Sequence, residues 1–422
     1  MKIFDKYRYG SYYKKLLISC YVFYFFTIAI KLTYSVQIEE IIDHFKRDRS
    51  DVALGLTIYY FVYAAAQVVL SLFIQKINIK RFLVISTLLS GVSFGIVGFT
   101  SSLWQVALIL GANGIFQCAV WGGITFVISR YFPVETLSYA MKFMATGLAL
   151  ANAATYGVSA FFVQVFDWRY TFVFFAILLV IFTFNMVYQI KRTENALKKG
   201  EAELFFKHEE EGKGEFVVPH DVKFNKPLLL GYLFVLSFVV TTLTYGVGNW
   251  VPGLLKNVHN FPSSLSILIS LITPVVTVPA TILMYILFDK YNKIMRISAY
   301  VAALTASLLV LMIFIYDSNL IVATVMSTLL RFIIAAFATS SSTYVTTKFE
   351  YHINAGSAAL LVNAVAALGA GIAPFFTGII IESRFGWQGY YVALAGIAAA
   401  ALLINIIGCI VISKKKNLTK WI

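Results

Sequence analysis

Long apolar runs of roughly the same length, divided by short polar breaks, make up most of this chain. They fall near residues 15–36, 52–74, 81–100, 103–131, 137–165 and 169–190, and again near 227–253, 263–288, 295–316, 319–345, 355–382 and 387–412. A helix rises about 1.5 Å per residue, so about 20 apolar residues match a hydrocarbon core of about 30 Å. Each run therefore predicts one membrane-crossing helix, the form that satisfies every backbone group without water. A charged stretch from Lys191 to about Lys226 separates the two sets. The expected fold is all-α and integral to the membrane: 12 transmembrane helices in two six-helix bundles. Residues 1–190 would form the first bundle, 191–226 a cytoplasmic linker and 227–422 the second bundle.

Composition supports the pattern. Of 422 residues, 59% are apolar, 16% aromatic and only 13% charged. A soluble surface needs more charge than this. The net charge of +14 would suggest nucleic acid in a soluble chain, but here the cations lie in the breaks between runs. With both termini inside, 25 of the 34 Lys and Arg fall on the inner side and six on the outer. That bias places the termini and the central loop in the cytoplasm of a cell-membrane protein. Cys20, Cys118 and Cys409 sit inside apolar runs without metal spacing, and all five His lie in breaks. No cofactor or metal is expected. The first run has the length of a span with no small-residue cleavage pattern after it, so it reads as a span and not a leader.

The halves resemble one another. Phe166-Asp167-Trp168-Arg169-Tyr170 opens the sixth run, and Phe385-Gly386-Trp387-Gln388-Gly389-Tyr390 opens the twelfth, 219 residues from Trp to Trp. Leu32-Thr33-Tyr34 recurs as Leu243-Thr244-Tyr245 at an offset of 211. A parallel repeat of this kind predicts a site at mid-membrane between the halves.

Ionisable residues inside spans are costly, so each is a functional candidate. Lys31 lies about 16 residues into the first run and Arg331 about 12 into the tenth, roughly 24 and 18 Å along a helix. Lys142 enters its span by only a few residues, where snorkelling is easy. None of the 20 acidic residues falls mid-span; Glu39, Glu40 and Glu382 come nearest, at span ends. Buried cations without a carboxylate suit an anionic small molecule and disfavour a cationic one. They also disfavour a proton relay through a buried acid. In the fourth run Asn113, Gln117 and Trp121 follow i, i+4, i+8 and are expected on one face. In the seventh, Tyr245 and Asn249 share a face, and Gly246, Gly248 and Pro252 loosen the helix end. Trp250 reads as an interfacial anchor. Ser342 lies three turns from Arg331, and Asn363 is the amide of the eleventh run.

Several of these residues carry a resemblance. The chain is similar to the major facilitator superfamily and, within it, to the organophosphate:phosphate antiporters, over essentially its full length. A cation precedes Thr33-Tyr34 in the first span. Gly114, Gln117 and Trp121 match a Gly-x-x-Gln-x-x-x-Trp motif. Thr244-Tyr245-Gly246 with Trp250-Val251-Pro252 matches a seventh-span motif, and Phe385-Gly386-Trp387 opens the last span. The resemblance implies two gripping cations from the first and seventh spans, yet the first is Lys31 and the second is replaced by Thr244. Gly122-Gly123 stands where the family has Pro-Pro. The loop motif is clear as Phe288-Asp289-Lys290 but degraded at Ser71, Gln75 and Lys76, which would disfavour the outward-facing state.

The resemblance implies a secondary transporter working by alternating access on a sugar phosphate, and the departures bring in a sugar acid as cargo. The missing mid-span acids fit exchange of anions or a coupled proton carried by the substrate, and a monomer is expected. Lys31 and Arg331 would attract the anion. Tyr34, Gln117, Thr244, Tyr245, Asn249, Ser342 and Asn363 would line its path, with Trp121 as a packing wall. Partners are a small-molecule substrate and membrane lipid, with no nucleic acid. Two other readings are a membrane sensor of the same fold and an efflux pump for amphipathic compounds. An enzyme is disfavoured, since no Ser/His/Asp set, metal cluster or carboxylate pair lies in a span.

Overall fold

A computed structural model describes residues 1–5, 7, 9–73, 78–199, 226–291, 294–339 and 355–413. After a short 3-10 turn at Lys2–Phe4, the first half consists of α1 (Gly10–Val36), α2 (Ile38–Phe45), α3 (Arg49–Phe73), α4 (Ile79–Val97), α5 (Leu103–Gln117), α6 (Val120–Tyr131), α7 (Val134–Val165) and α8 (Arg169–Lys199). The second half consists of α9 (Lys226–Gly248), α10 (Val251–Asn257), α11 (Ser263–Ser270), α12 (Ile272–Val275), α13 (Thr277–Tyr291), α14 (Ile294–Ile315), α15 (Leu320–Ala338), α16 (Ala355–Glu382) and α17 (Gly386–Ser413). Among the described residues there are 12 helical stretches long and apolar enough to cross a membrane, and no strand.

Three spans start at side-chain caps. Asn78 accepts a hydrogen bond from the Arg81 amide, Asn319 accepts one from the Val322 amide, and Ser102 forms a capping box with Gln105. Such caps satisfy amides that the first turn leaves orphaned.

Three spans are broken, and the breaks redirect side chains. The fourth span stops at Gln117 and restarts at Val120. Asn113 and Gln117 are therefore buried at 0% and 3% exposure, while Trp121 is 41% exposed. The three do not share a face, because the interruption at Cys118-Ala119 rotates α6 against α5. The seventh span stops at Gly248 and restarts as α10 with Pro252 in its first turn, where Pro costs no helix bond. Trp250, at that break, is not an interfacial anchor. It is fully buried, and its Nε1 donates to Thr377 Oγ1 at 2.8 Å. The eighth span is divided into α11, α12 and α13. The sixth runs on to Lys199, past the expected end at 190.

Among the described residues the most extensive packing between the halves is of α3 along α16 and of α7 against α11 and α12. Thr57 Oγ1 donates to the Gly371 carbonyl at 2.8 Å in the first contact. The end of the bundle remote from the termini is closed by polar bonds between halves. Glu39 accepts from Asn257 Nδ2 across the halves at 2.9 Å and from Arg49 Nη2 of its own half at 3.3 Å. Lys256 Nζ reaches Glu40 at 3.2 Å and also Asp43. Glu382 takes the Arg49 amide, and Gln164 accepts from Ser264.

Candidate functional site

At the centre of the bundle a cation from each half approaches a shared cluster of aromatic rings. Lys31 on α1 is half-buried. Its Nζ lies 4.7 Å from the ring centroid of Tyr63, 5.2 Å from Tyr60 and 5.5 Å from Tyr59. All three rings come from α3, where the spacing of Tyr59, Tyr63 and Gln67 puts them on one helix face. Gly114 brings that face close to α5. A Cβ at Gly114 would stand 2.6 Å from the Tyr59 carbonyl oxygen and 2.8 Å from the Tyr63 amide nitrogen, nearer than real contacts allow. The motif glycine thus fixes how deeply the tyrosines reach.

Hydrogen bonds hold the rings in place. Tyr59 Oη donates to Gln117 Oε1 at 3.0 Å, and Gln117 Nε2 donates to Ser90 Oγ at 3.0 Å. Gln117 is 3% exposed and orients a ring of the cage. Asn363 reaches over from α16, its Nδ2 donating to Gln67 Oε1 at 3.0 Å and to Tyr63 Oη at 3.3 Å. Trp121 packs on Tyr24 with centroids 5.1 Å apart, and Tyr24 lies within electrostatic range of Tyr63 and Tyr245.

The second cation is Arg331 on α15. Its Nη1 donates to the Thr244 carbonyl, and its Nε is buried without a partner. Gly248 leaves the space it occupies, since a Cβ there would lie 3.0 Å from Nη1 and 3.2 Å from Cζ. The phenols of Tyr156, Tyr245 and Tyr390 lie within electrostatic range of the guanidinium. Tyr245 connects the two cations. Its ring meets Tyr60 edge-on at 5.4 Å, joining the seventh span to the second. Among the described residues, no carboxylate lies within 4 Å of Lys31 or Arg331.

Lys31 and Arg331 are thus linked through the Tyr60–Tyr245 contact. Thr244 contributes its carbonyl, since its hydroxyl bonds back to Val240. Asn249 is 6% exposed and its amide donor is unpartnered. Tyr34 stands apart from this cluster of rings and cations. It is fully enclosed, and its hydroxyl is taken by the Val52 carbonyl at 2.8 Å. Ser342, Gln75 and Lys76 lie outside the described residues, as do the side chains of Ser71, Lys142 and Asp289. Sequence reasoning missed Tyr24, Tyr59, Tyr60, Tyr63, Gln67, Tyr156 and Tyr390. The tyrosine–glutamine stripe at i, i+4, i+8 on the second span was the available signal.

Twelve spans in two halves, with charged and aromatic groups converging between them, define a polytopic membrane protein of the carrier type. Residues 17–359 match the Major Facilitator Superfamily, and the chain belongs to that family. It is a family of membrane transporters and not of enzymes. Among curated proteins, the chain is 26% identical over 122 residues to the membrane sensor protein UhpC of Escherichia coli K12. It is 28% identical over 110 residues to the protein of the same name from Salmonella typhimurium LT2. These matches cover 28% and 26% of this chain and span about a quarter of the relatives' own length, 27% and 25%. The fold is shared with a bacterial homologue of the human lysosomal transporter Spinster in an inward-facing, unoccupied conformation. That match has a TM-score of 0.68 at 14% identity, over 94% of this chain and 95% of the other. The nucleoside transporter NupG superposes with a TM-score of 0.67 at 14% identity over 93% and 98% of the two chains. The E. coli xylose transporter XylE in a partially occluded inward-open conformation gives 0.68 at 16% over 93% and 97%.

Proposed function

We propose that this protein is a monomeric secondary transporter that carries a small organic anion across the cell membrane by alternating access of its two halves. The observation that carries the reading is the pair of cations. Lys31 and Arg331 come from opposite halves, flank the Tyr60–Tyr245 contact, and have no carboxylate partner among the described residues. A buried cation without a counter-charge costs several kcal/mol. An anion bound between the two would offset that cost and hold both halves at once.

The lining supports a polyhydroxylated acid, either a sugar acid or a sugar phosphate. Phenols and the free donor of Asn249 hydrogen-bond hydroxyls, aromatic rings pack on the sugar's apolar face, and a planar guanidinium matches a carboxylate. Only one of the two cations is Arg, which favours the carboxylate over a dianionic phosphate. Two unneutralised cations reorient poorly through a closed state, so an exchange cycle in which the carrier returns loaded fits best. With the termini in the cytoplasm, the ion-paired end faces outward and the described arrangement is inward-facing.

A second reading is a membrane sensor that binds the same anion without moving it, favoured by the partial likeness to UhpC. Purified protein melted against phosphate, glycerol phosphates, hexose phosphates, hexuronates and dicarboxylates tests the site. A ligand present at 100 times its Kd raises stability by about 2.7 kcal/mol. The expected result is one anion class that raises the midpoint of the wild type and of neither Lys31→Ala nor Arg331→Ala. Silence across the panel would refute the anion assignment. Counterflow in proteoliposomes then separates carrier from sensor.

A further inference from the structure

A lateral groove lies on the outer surface of the first half, away from the central site. It has a volume of about 210 Å³ and is lined by Lys15, Ile18, Ser19 and Val22 of α1 and by Phe182, Asn185 and Gln189 of α8. That is smaller than the roughly 300–1,000 Å³ of a solute pocket. The groove faces the surroundings of the bundle: Ile18 on α1 and Ile181, Phe184 and Tyr188 on α8 are about half exposed, at 47, 52, 59 and 59%. On such a face a polar side chain meets lipid instead of water.

The register is fixed by one bond. Ser19 Oγ donates to Asn185 Oδ1 at 2.6 Å. The first and sixth spans run antiparallel, so each step along one matches a step back along the other. Val22 therefore lies level with Phe182, Ser19 with Asn185, Lys15 with Gln189, and Tyr12 with Arg192. The last pair is seen directly, with the Arg192 guanidinium 5.4 Å over the Tyr12 ring. From the membrane interior outward the groove presents an apolar floor, then an amide, then an amide with an ammonium, then a guanidinium. Successive levels are about one helical turn, or 5.4 Å, apart. Asn185 Nδ2 and the amide of Gln189 have no partner among the described residues, and Asn185 is exposed. An amide donor on a lipid-facing surface is costly unless the lipid supplies its acceptor.

We propose that this groove is a binding site for one anionic glycerophospholipid of the leaflet on the side of the termini. The order of groups along such a lipid matches the order of levels. Acyl chains lie on Val22, Ile18 and Phe182. Ester carbonyls accept from Asn185 and Gln189. The headgroup phosphate meets Lys15 and Arg192. A lone cation at a span end is ordinary snorkelling, but snorkelling does not account for two donor amides on the same groove, one level with the cation and one a turn beneath it.

The test is native mass spectrometry of the full chain, delipidated in neutral detergent and titrated with dioleoylphosphatidylglycerol. One tightly retained lipid is expected in the wild type. Retention is expected to weaken about tenfold in Asn185→Leu/Gln189→Leu and in Lys15→Gln, with sn-glycerol phosphate unable to displace the lipid. Equal retention in wild type and variants overturns the proposal, as does displacement by soluble glycerol phosphate. Lys15 is exposed, so Lys15→Gln leaves folding intact and decides the matter even if the double variant fails to fold.

Discussion

Lys31→Met separates what the cation does for the fold from what it does for the ligand. Methionine keeps the length and the apolar stem of lysine and removes the charge. In the unliganded protein the ammonium is held by three tyrosine rings at 4.7–5.5 Å. Each such contact is worth about 0.5–2 kcal/mol. Against them stands a desolvation cost of several kcal/mol with no carboxylate to offset it. The balance is near zero or unfavourable, so Lys31→Met should leave the unliganded protein unchanged or stabilise it by up to about 4 kcal/mol. Towards an anion the sign reverses. A charge-assisted hydrogen bond contributes about 1.5–3 kcal/mol, so affinity should fall about 10- to 150-fold. Thermal unfolding in detergent, with and without a saturating hexuronate or hexose phosphate, reads both quantities in one experiment. A variant whose unliganded midpoint drops sharply while its ligand-induced shift survives would refute the reasoning, since Lys31 would then be a structural cation.

Gly248→Ala puts a methyl 3.0 Å from Arg331 Nη1, so it should displace the guanidinium and weaken anion binding about tenfold while the protein still folds; an unchanged ligand shift counts against Arg331 as a contact. Trp250→Phe removes the indole bond to Thr377 from a fully buried site between the seventh and eleventh spans, and should cost about 1–3 kcal/mol in thermal or denaturant unfolding, a loss that an interfacial anchor would not show. His44, outside the spans, has its pKa lowered by partial burial and by Arg169, with Asp167 opposing. A lowered folded pKa means that the unfolded chain binds more protons, so the small stability contribution is complete above about pH 6.5 and fades as pH falls below it. NMR titration should place His44 below 6.5, with Arg169→Gln moving it up; a value above 6.5 in the wild type would be the wrong sign.

The twelve spans were legible because membrane helices announce themselves by length and apolarity alone, and Lys31 and Arg331 because charge inside such a run is rare. The remaining features depended on partners distant in sequence. Nothing local marks the break at Cys118-Ala119, since Gly122 and Gly123 follow it, so the expected common face of Gln117 and Trp121 failed. Trp250 looks like an anchor until α16 places Thr377 beside it. The cage tyrosines were hidden for a different reason. The chain has 25 Tyr, and a phenol in an apolar run reads as bulk suited to lipid until a cation is known to sit over it. Tyr34 and Tyr245 occupy matching places in the repeat, yet only Tyr245 joins the ring cluster between the cations. Lys31 lies on the first of these two helices and Arg331 contacts the second, so the symmetry of the sequence did not carry over to the site.

The contact most able to couple binding to rocking is the one made by Asn363. The two Lys256 pairs across the closed end are partly solvated, and a pair of that kind contributes about 0–1 kcal/mol, so neither alone holds the end shut. Asn363 is different, because it bonds Tyr63 and Gln67 across the halves, and Tyr63 is the ring nearest to the Lys31 ammonium. A ligand that draws Lys31 away from the rings frees Tyr63 to shift, and any shift must break or remake the bond to Gln67, which is 2% exposed and whose unmet amide oxygen would cost about 1–3 kcal/mol. Occupancy and inter-half contact then share one side chain. A double-mutant cycle between Lys31→Met and Asn363→Leu on ligand affinity should show a coupling above about 0.5 kcal/mol, whereas residues acting independently add within that margin. Strict additivity would leave Asn363 as packing between α3 and α16, and the coupling would have to pass through the Tyr60–Tyr245 contact instead.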